Sequence, residues 1–172
     1  HWSDSDPDRK FLVERDPAGA WRPISYGQAV AAADSISQAL IDLGLSSTKS
    51  NTSRPVVALG SNSIEMGLLA LAAMQIGVPF APISPSYSLM SGDFSKLKYI
   101  IDLINPALVY VPEAAPFKKA LDHVLGPNVP IVSGDGAPGF LPFTEFTSKT
   151  PGPDFAQVYA DVNGDSIAKY LF

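Results

Sequence analysis

Cysteine is absent from all 172 residues. That excludes a disulfide, a thiolate zinc site and a thiol nucleophile, and it fits a reducing, cytoplasmic location. Histidine is nearly as scarce: His1 and His123 are too few for a histidine-built metal centre. Positive charge is also in short supply, with 12 Lys and Arg against 17 Asp and Glu and a formal net charge of −5. No basic stripe results, so a nucleic-acid partner is not expected. Anionic ligands stay open, because backbone N–H groups can bind phosphate without a cation. Charged residues make up only 17% of the chain and hydrophobic ones 46%, which is the balance of one globular domain with a sizeable core.

A long unbroken apolar run is missing too. Met66 to Ile83 carries no charge, but Gln75, Gly77, Pro79 and Pro82 interrupt it. A membrane-spanning helix needs about 20 mostly apolar residues without such breaks. The run reads instead as a buried helix followed by a buried strand, and no membrane partner is expected. The opening HWSDSDPDRK is polar and acidic, unlike a secretory leader. The chain starts without methionine and stops at AKYLF, inside what reads as a strand. A strand ending flush there would leave an apolar edge open, so a piece of a longer protein is expected.

What is present is a regular alternation. KFLVERDPAGAWRPIS reads as a hairpin over 10–25, turning at Asp16-Pro17-Ala18-Gly19 in a type I turn. Ser25 and Gln28 form a capping box for a helix with Tyr26, Ala29, Val30, Ala33, Ile36, Leu40 and Leu43 on its apolar face and Gly44 at its stop. Ser46 to Ser53 is a polar, exposed loop. RPVVALG reads as a buried strand, and Asn62 with Glu65 as a second capping box for a helix to Ile76 that is apolar on nearly every side. VPFAPI is a strand. Ser91 or Asp93 caps a third helix with Phe94, Leu97, Ile100, Ile101 and Ile104 inward, ended by Pro106. ALVYV, a helix over Phe117–Leu125 and the strand VPIVSG follow.

The expected fold class is therefore α/β: a mostly parallel sheet flanked by helices, built of βαβ units, with an N-terminal hairpin. The α/β core spans 26–133. A Gly- and Pro-rich connection covers 134–165, with a short helix at Asp154–Ala160, and a truncated strand covers 167–172.

No complete catalytic set stands out. GSNS, Gly60 to Ser63, lies where a strand turns into a helix, the place where α/β sheets collect ligands. It matches no phosphate-loop pattern, and capping alone accounts for Asn62 and Glu65. SPSYS, Ser84 to Ser88, offers hydroxyls but no neighbouring base, and Pro82 and Pro85 stiffen it, so a rigid crossover is the simpler account. GDGAPG, Gly134 to Gly139, lacks the Lys and Ser/Thr of a phosphate loop and reads as a flexible link. His123 sits on a polar helix face. Asp161, Asn163 and Asp165 resemble a calcium loop whose glycine is one place late and which lacks the closing Glu, so chance explains them.

Two long runs carry a resemblance that these patterns do not. PDRKFLVERDPAGAWRPISYGQAV and PVVALGSNSIEMGLLALAAMQIGVPFAPISPSYSLMSGDFSKLKYII resemble the start of the adenylate-forming (AMP-dependent) acyl-CoA synthetases. ISYGQAV is similar to the first core motif of that superfamily and MQIGVPFAPISP to the second. SPSYSLMSGDFSKL is similar to a phrase of the feruloyl-CoA synthetases, in the aryl-acid branch. The resemblance implies the first subdomain of a ligase that joins a hydroxycinnamate to ATP as an acyl-adenylate, with Mg2+ assisting, and then passes the acyl group to CoA. It implies that residues 1–172 belong to the large domain and that their partners are the rest of the parent chain, an aryl acid, ATP and CoA. The Pro-Lys-Gly phosphate loop, the Thr-Glu pair, the ribose-binding Asp and the C-terminal Lys of such enzymes do not occur within these residues. The chain alone is thus expected to be inactive, with no catalytic residue, no metal ligand and no bound cofactor of its own. By position in that fold, Ser61, Asn62, Ser84 and Tyr87 are the residues expected near the CoA or acyl face. The second reading is a stand-alone α/β binding or interaction module that pairs by strand addition at AKYLF, with a homodimer among its outcomes.

Overall fold

The computed structural model describes residues 1–46 and 54–172. The expected polar loop falls largely outside that range; Ser46 itself is buried. After a short N-terminal helix, α1 (Trp2–Ser5), come β1 (Lys10–Arg15), β2 (Trp21–Ser25), α2 (Tyr26–Asp42), β3 (Val56–Leu59), α3 (Ile64–Gln75) and β4 (Phe80–Ile83). They are followed by α4 (Ser86–Leu89), α5 (Ser95–Ile104), β5 (Leu108–Val111), α6 (Ala114–Val124), β6 (Ile131–Ser133), β7 (Leu141–Pro142), α7 (Phe143–Thr147) and α8 (Pro153–Ala160). β1 and β2 pair antiparallel as a hairpin. The other strands form one parallel sheet in the order β4-β3-β5-β6-β7. The α/β reading therefore holds.

The hairpin turns where its sequence requires, with the Gly19 amide donating to the Asp16 carbonyl at 2.9 Å and Gly19 at φ 85°. A bulge at Phe11 shifts the register and sets that ring 4.8 Å from Tyr26. The α2 capping box forms in full, Ser25 Oγ accepting from the Gln28 amide and Gln28 Oε1 from the Ser25 amide. Gly44, at φ 83°, closes the helix.

Two cores lie on opposite faces of the sheet. Val56, Ala58, Leu108 and Tyr110 face α2, α3, α7 and α8, whereas Val57, Leu59, Val109 and Val111 face α5 and α6. The period of two along each strand divides its side chains between the layers. On α2 the buried stripe is wider than its apolar residues suggest. Val30 and Leu43 are exposed, while Ser37 and Gln38 are buried. Both polar side chains are satisfied: Ser37 Oγ donates to the Ala72 carbonyl at 2.9 Å, and Gln38 Oε1 accepts from the Gly152 amide at 2.7 Å.

Four expectations are corrected. α3 is capped by Ser63, whose Oγ accepts from the Met66 amide at 3.1 Å, so Asn62 and Glu65 form no capping box. α6 starts at Ala114, ahead of the expected Phe117; Pro116 lies in its first turn, where a missing N–H costs nothing, and Asp135 Oδ2 accepts from the Ala114 amide. The 134–139 segment is a pinned turn rather than a loose link, because Ser133 Oγ and Asp135 Oδ1 both accept from the Ala137 amide. Beyond it β7, α7 and α8 bring Phe143, Phe146 and Val158 into the core.

The fourth correction concerns the expected strand over 167–172, which is a single parallel bridge between Lys169 and Phe80. The Phe80 amide donates to the Ala168 carbonyl and the Tyr170 amide to the Phe80 carbonyl. The next ladder position on that edge of β4 is Pro82, which has no N–H to give. The segment therefore covers part of the β4 edge instead of extending the sheet. Among the described residues no helix is long and apolar enough to cross a membrane.

Leu69 of α3 is fully buried and Leu103 of α5 is 61% exposed. In urea titration Leu69→Ala should lower unfolding free energy by about 2–5 kcal/mol, against about 0.5 kcal/mol or less for Leu103→Ala.

Candidate functional site

Parallel strands point their carboxyl ends the same way, so β3, β4, β5 and β6 deliver their following residues to one rim. The rim is tightly built. A Cβ on Gly60 would lie 3.1 Å from the Pro112 ring, and one on Gly134 only 2.6 Å from the Pro112 carbonyl oxygen. Side chains at either position would push the strand ends apart.

Between β3 and β4 the rim opens into a shallow cleft of about 360 Å3. Gly60, Ser61, Asn62 and Met66 form one wall, and Pro82, Ile83, Ser84 and Pro85 the other. The structure thus brings together Ser61, Asn62 and Ser84. Tyr87 does not join them: on α4 its ring packs against the core beneath α5 and α6, with Lys96 Nζ 5.5 Å from its centroid. Ser84 Oγ lies 2.7 Å from Ser86 Oγ, and no carboxylate or imidazole lines the cleft to draw its proton away.

The lining holds neither a cation nor a carboxylate, and among the described residues no cluster of three His, Asp or Glu is placed to hold a metal ion. These residues do not by themselves fit a triphosphate with its Mg2+. They offer hydroxyls, an amide side chain and backbone N–H groups, a surface that can hydrogen-bond a ligand held elsewhere.

A charged cluster lies at the start of α3, next to the cleft wall. Glu14 and Arg22 face each other across the hairpin and form an ion pair. Arg22 Nη1 also meets Glu65 Oε1 at 2.7 Å, and Glu14 Oε2 accepts from the Ile64 amide at 2.8 Å. Hydrogen bonds to Glu65 and Glu14 raise the Arg22 pKa further. Burial pulls the Glu65 carboxyl up, but hydrogen bonds to Arg22, its own backbone and Ser63, together with the Arg22 charge, outweigh it and hold the group below its ordinary value. Tyr110, on β5, is pushed up by burial and by the nearby Glu65 and Glu14 charges. The Glu14–Arg22 pairing was readable from the turn register; Glu65, far along the chain, was not.

A larger groove of about 550 Å3 lies among α2, α3, α8 and the hairpin, lined by residues such as Phe11, Val30, Met74 and Tyr159. No residue of the main sheet reaches it, so it stands apart from the rim. His123 is exposed beside the Phe94 ring at 5.6 Å, and Asn163 and Asp165 are engaged in local turn hydrogen bonds.

The family model described as AMP-binding enzyme matches residues 1–168. The chain belongs to that family. Solved structures share its fold, that of the N-terminal subdomain of adenylate-forming enzymes. A fatty acyl-adenylate ligase from L. pneumophila, solved with acyl adenylate and pyrophosphate, is similar with a TM-score of 0.69 and 17% identity over 98% of this chain and 26% of that one. ATP-bound MatB from Rhodopseudomonas palustris gives 0.65 and 23% over 95% and 29%. VinN, solved with L-aspartate, gives 0.67 and 18% over 97% and 40%. No curated protein matches the sequence. The chain therefore spans between about a quarter and two fifths of the length of these solved structures.

Two measurements check this geometry. Gly134→Ala should destabilise the fold by about 1–3 kcal/mol through the clash with Pro112, while Gly164→Ala, which meets nothing within 4 Å, should change little. Glu65 has a folded pKa below its ordinary 4.5. The stability it adds is complete above that value and is lost as pH falls through the folded pKa. Urea midpoints measured on Glu65→Gln should accordingly show a shallower acid slope than wild type.

Proposed function

We propose that this chain is the N-terminal subdomain of an ATP-dependent acid–thiol ligase that acts through an acyl-adenylate, and that it supplies one wall of the acyl or CoA channel. The observation that carries this reading is the cation-free, hydroxyl-lined cleft at the carboxyl ends of β3 and β4 in a chain of the AMP-binding family. A carboxylate attacking ATP needs charge neutralised around the phosphates, with positioning supplying much of the remainder. Ser61, Asn62 and Ser84 serve the positioning part, and ATP, Mg2+ and CoA are held mainly by the rest of the parent protein. Tyr87, turned into the core, is withdrawn from the ligand wall and supports the crossover after β4. An aryl acid of the hydroxycinnamate class is supported by the run SPSYSLMSGDFSKL. A cytoplasmic location is supported by the lack of cysteine.

The complete parent should catalyse acid-dependent exchange of pyrophosphate into ATP, faster with ferulate than with a fatty acid. Exchange with the fatty acid alone would overturn the aryl reading, and exchange with no acid would overturn the ligase reading. Isothermal titration of the 172-residue chain with ATP should show no heat of specific binding; micromolar affinity would require a phosphate site within it.

A further inference from the structure

A two-stranded hairpin is marginal by itself, so β1–β2 must draw its stability from what it packs on. Its apolar contacts go to α2 and α3: Phe11 to Tyr26, and Leu12 so close to Gly67 that a Cβ there would lie 3.2 Å from it. Packing explains the attachment, but not why a salt bridge is added at one end of it. The charged side chains gather at the first turn of α3, immediately after the Gly60–Asn62 wall of the cleft.

That turn needs acceptors, because the leading amides of a helix have no partner within it. Ser63 takes the Met66 amide. The Ile64 amide is taken by Glu14, from 50 residues earlier, at 2.8 Å. A carboxylate there also meets the positive end of the helix dipole. Glu14 is held in place by its cross-strand partner Arg22, which in turn holds Glu65 in the same turn of α3. The cluster thus grips the start of α3 at both Ile64 and Glu65. Gly60, at the far end of the three-residue wall, is wedged against Pro112. The Ser61–Asn62 stretch is thus held at both ends. None of Glu14, Arg22 or Glu65 lines the cleft, so the cluster acts on it only through the backbone.

We infer that Glu14 is a positioning residue for the cleft: through the Ile64 amide and Arg22 it fixes the start of α3 and with it the Ser61–Asn62 wall, which makes the hairpin a working part of the site. Its consequence for catalysis rests on the ligase reading; its consequence for the wall does not.

The test uses the full 172-residue chain, wild type, Glu14→Gln and Glu14→Ala, studied by NMR. In Glu14→Ala the Ile64 amide should exchange about tenfold faster, the loss of one hydrogen bond to a charged group. The order parameters of Ser61 and Asn62 should fall, while the α6 amides stay at wild-type rates. Glu14→Gln keeps an acceptor and should restore much of the Ile64 protection and wall order. Uniformly faster exchange through α6 as well would mean a merely stabilising role and overturn the inference. So would unchanged wall order in Glu14→Ala, or a wall already disordered in wild type. Should Glu14→Ala fail to fold, Glu14→Asp, one methylene too short to keep the Ile64 bond, decides on the same two readouts. In the complete parent, Glu14→Ala should lower kcat/KM for pyrophosphate exchange by about tenfold with the melting temperature little changed. A wild-type parent without exchange activity would sink the ligase reading alone, because the NMR measurements still decide the positioning.

Discussion

Everything in this fold follows from burying β3 on both faces. Its four residues have no accessible surface, so every backbone N–H and C=O must find a ladder partner and every side chain a covering layer. Two parallel neighbours, β4 and β5, meet the first demand, and parallel neighbours require crossover segments that return over a face of the sheet. Those crossovers are the helices that meet the second. One physical requirement thus sets the layers and aligns the strand ends, and the rim with its cleft is the by-product. Gly60, Pro112 and Gly134 then decide how closely the ends can crowd, since only glycine leaves room beside the proline ring and carbonyl.

Local signals in the sequence were reliable where the chain obeys local physics. The Asp16–Gly19 turn, the Ser25–Gln28 box and the apolar face of α5 depend on neighbours within a few residues, and each forms as read. The α3 cap was misread locally by one residue, and the other misreadings arose where a distant group takes over a local task. α6 starts early because Asp135 caps it from across the sheet, and the 134–165 connection is ordered because Phe143, Phe146 and Val158 find a core that α2 has already built. IAKYLF carries the composition of a strand, yet Pro82 on the facing edge withholds the N–H that a second ladder step would need. Propensity proposed the strand, and the partner declined it.

The candidate cleft was legible to the same degree. Ser61, Asn62 and Ser84 could be placed at strand ends from the alternation alone, and they meet. Tyr87 could not be placed, because one short helix, α4, decides whether its ring turns toward the cleft or the core. The Glu14–Arg22–Glu65 cluster was illegible for a different reason. Half of it follows from the hairpin register, while the rest depends on where that hairpin lands on α3, a tertiary fact with no periodicity to betray it.

The disposition of positive charge bears on what the cleft can hold. Arg22 is shared by two carboxylates, Arg54 donates to the Asn105 and Pro106 carbonyls, and Lys98, Lys118 and Lys149 each pair with an aspartate. Arg9, Arg15, Lys96 and Lys119 lie over aromatic rings. None of these cations lines the cleft. A polyphosphate at the rim would meet an acidic chain with no cation in the cleft. Two like unit charges 4 Å apart repel by about 1 kcal/mol in water and by several times that near a protein surface. A wall of this kind can orient a ligand through hydroxyls and amides, but it cannot neutralise one. For the proposed ligase, the neutralising charge would have to come from outside this cleft.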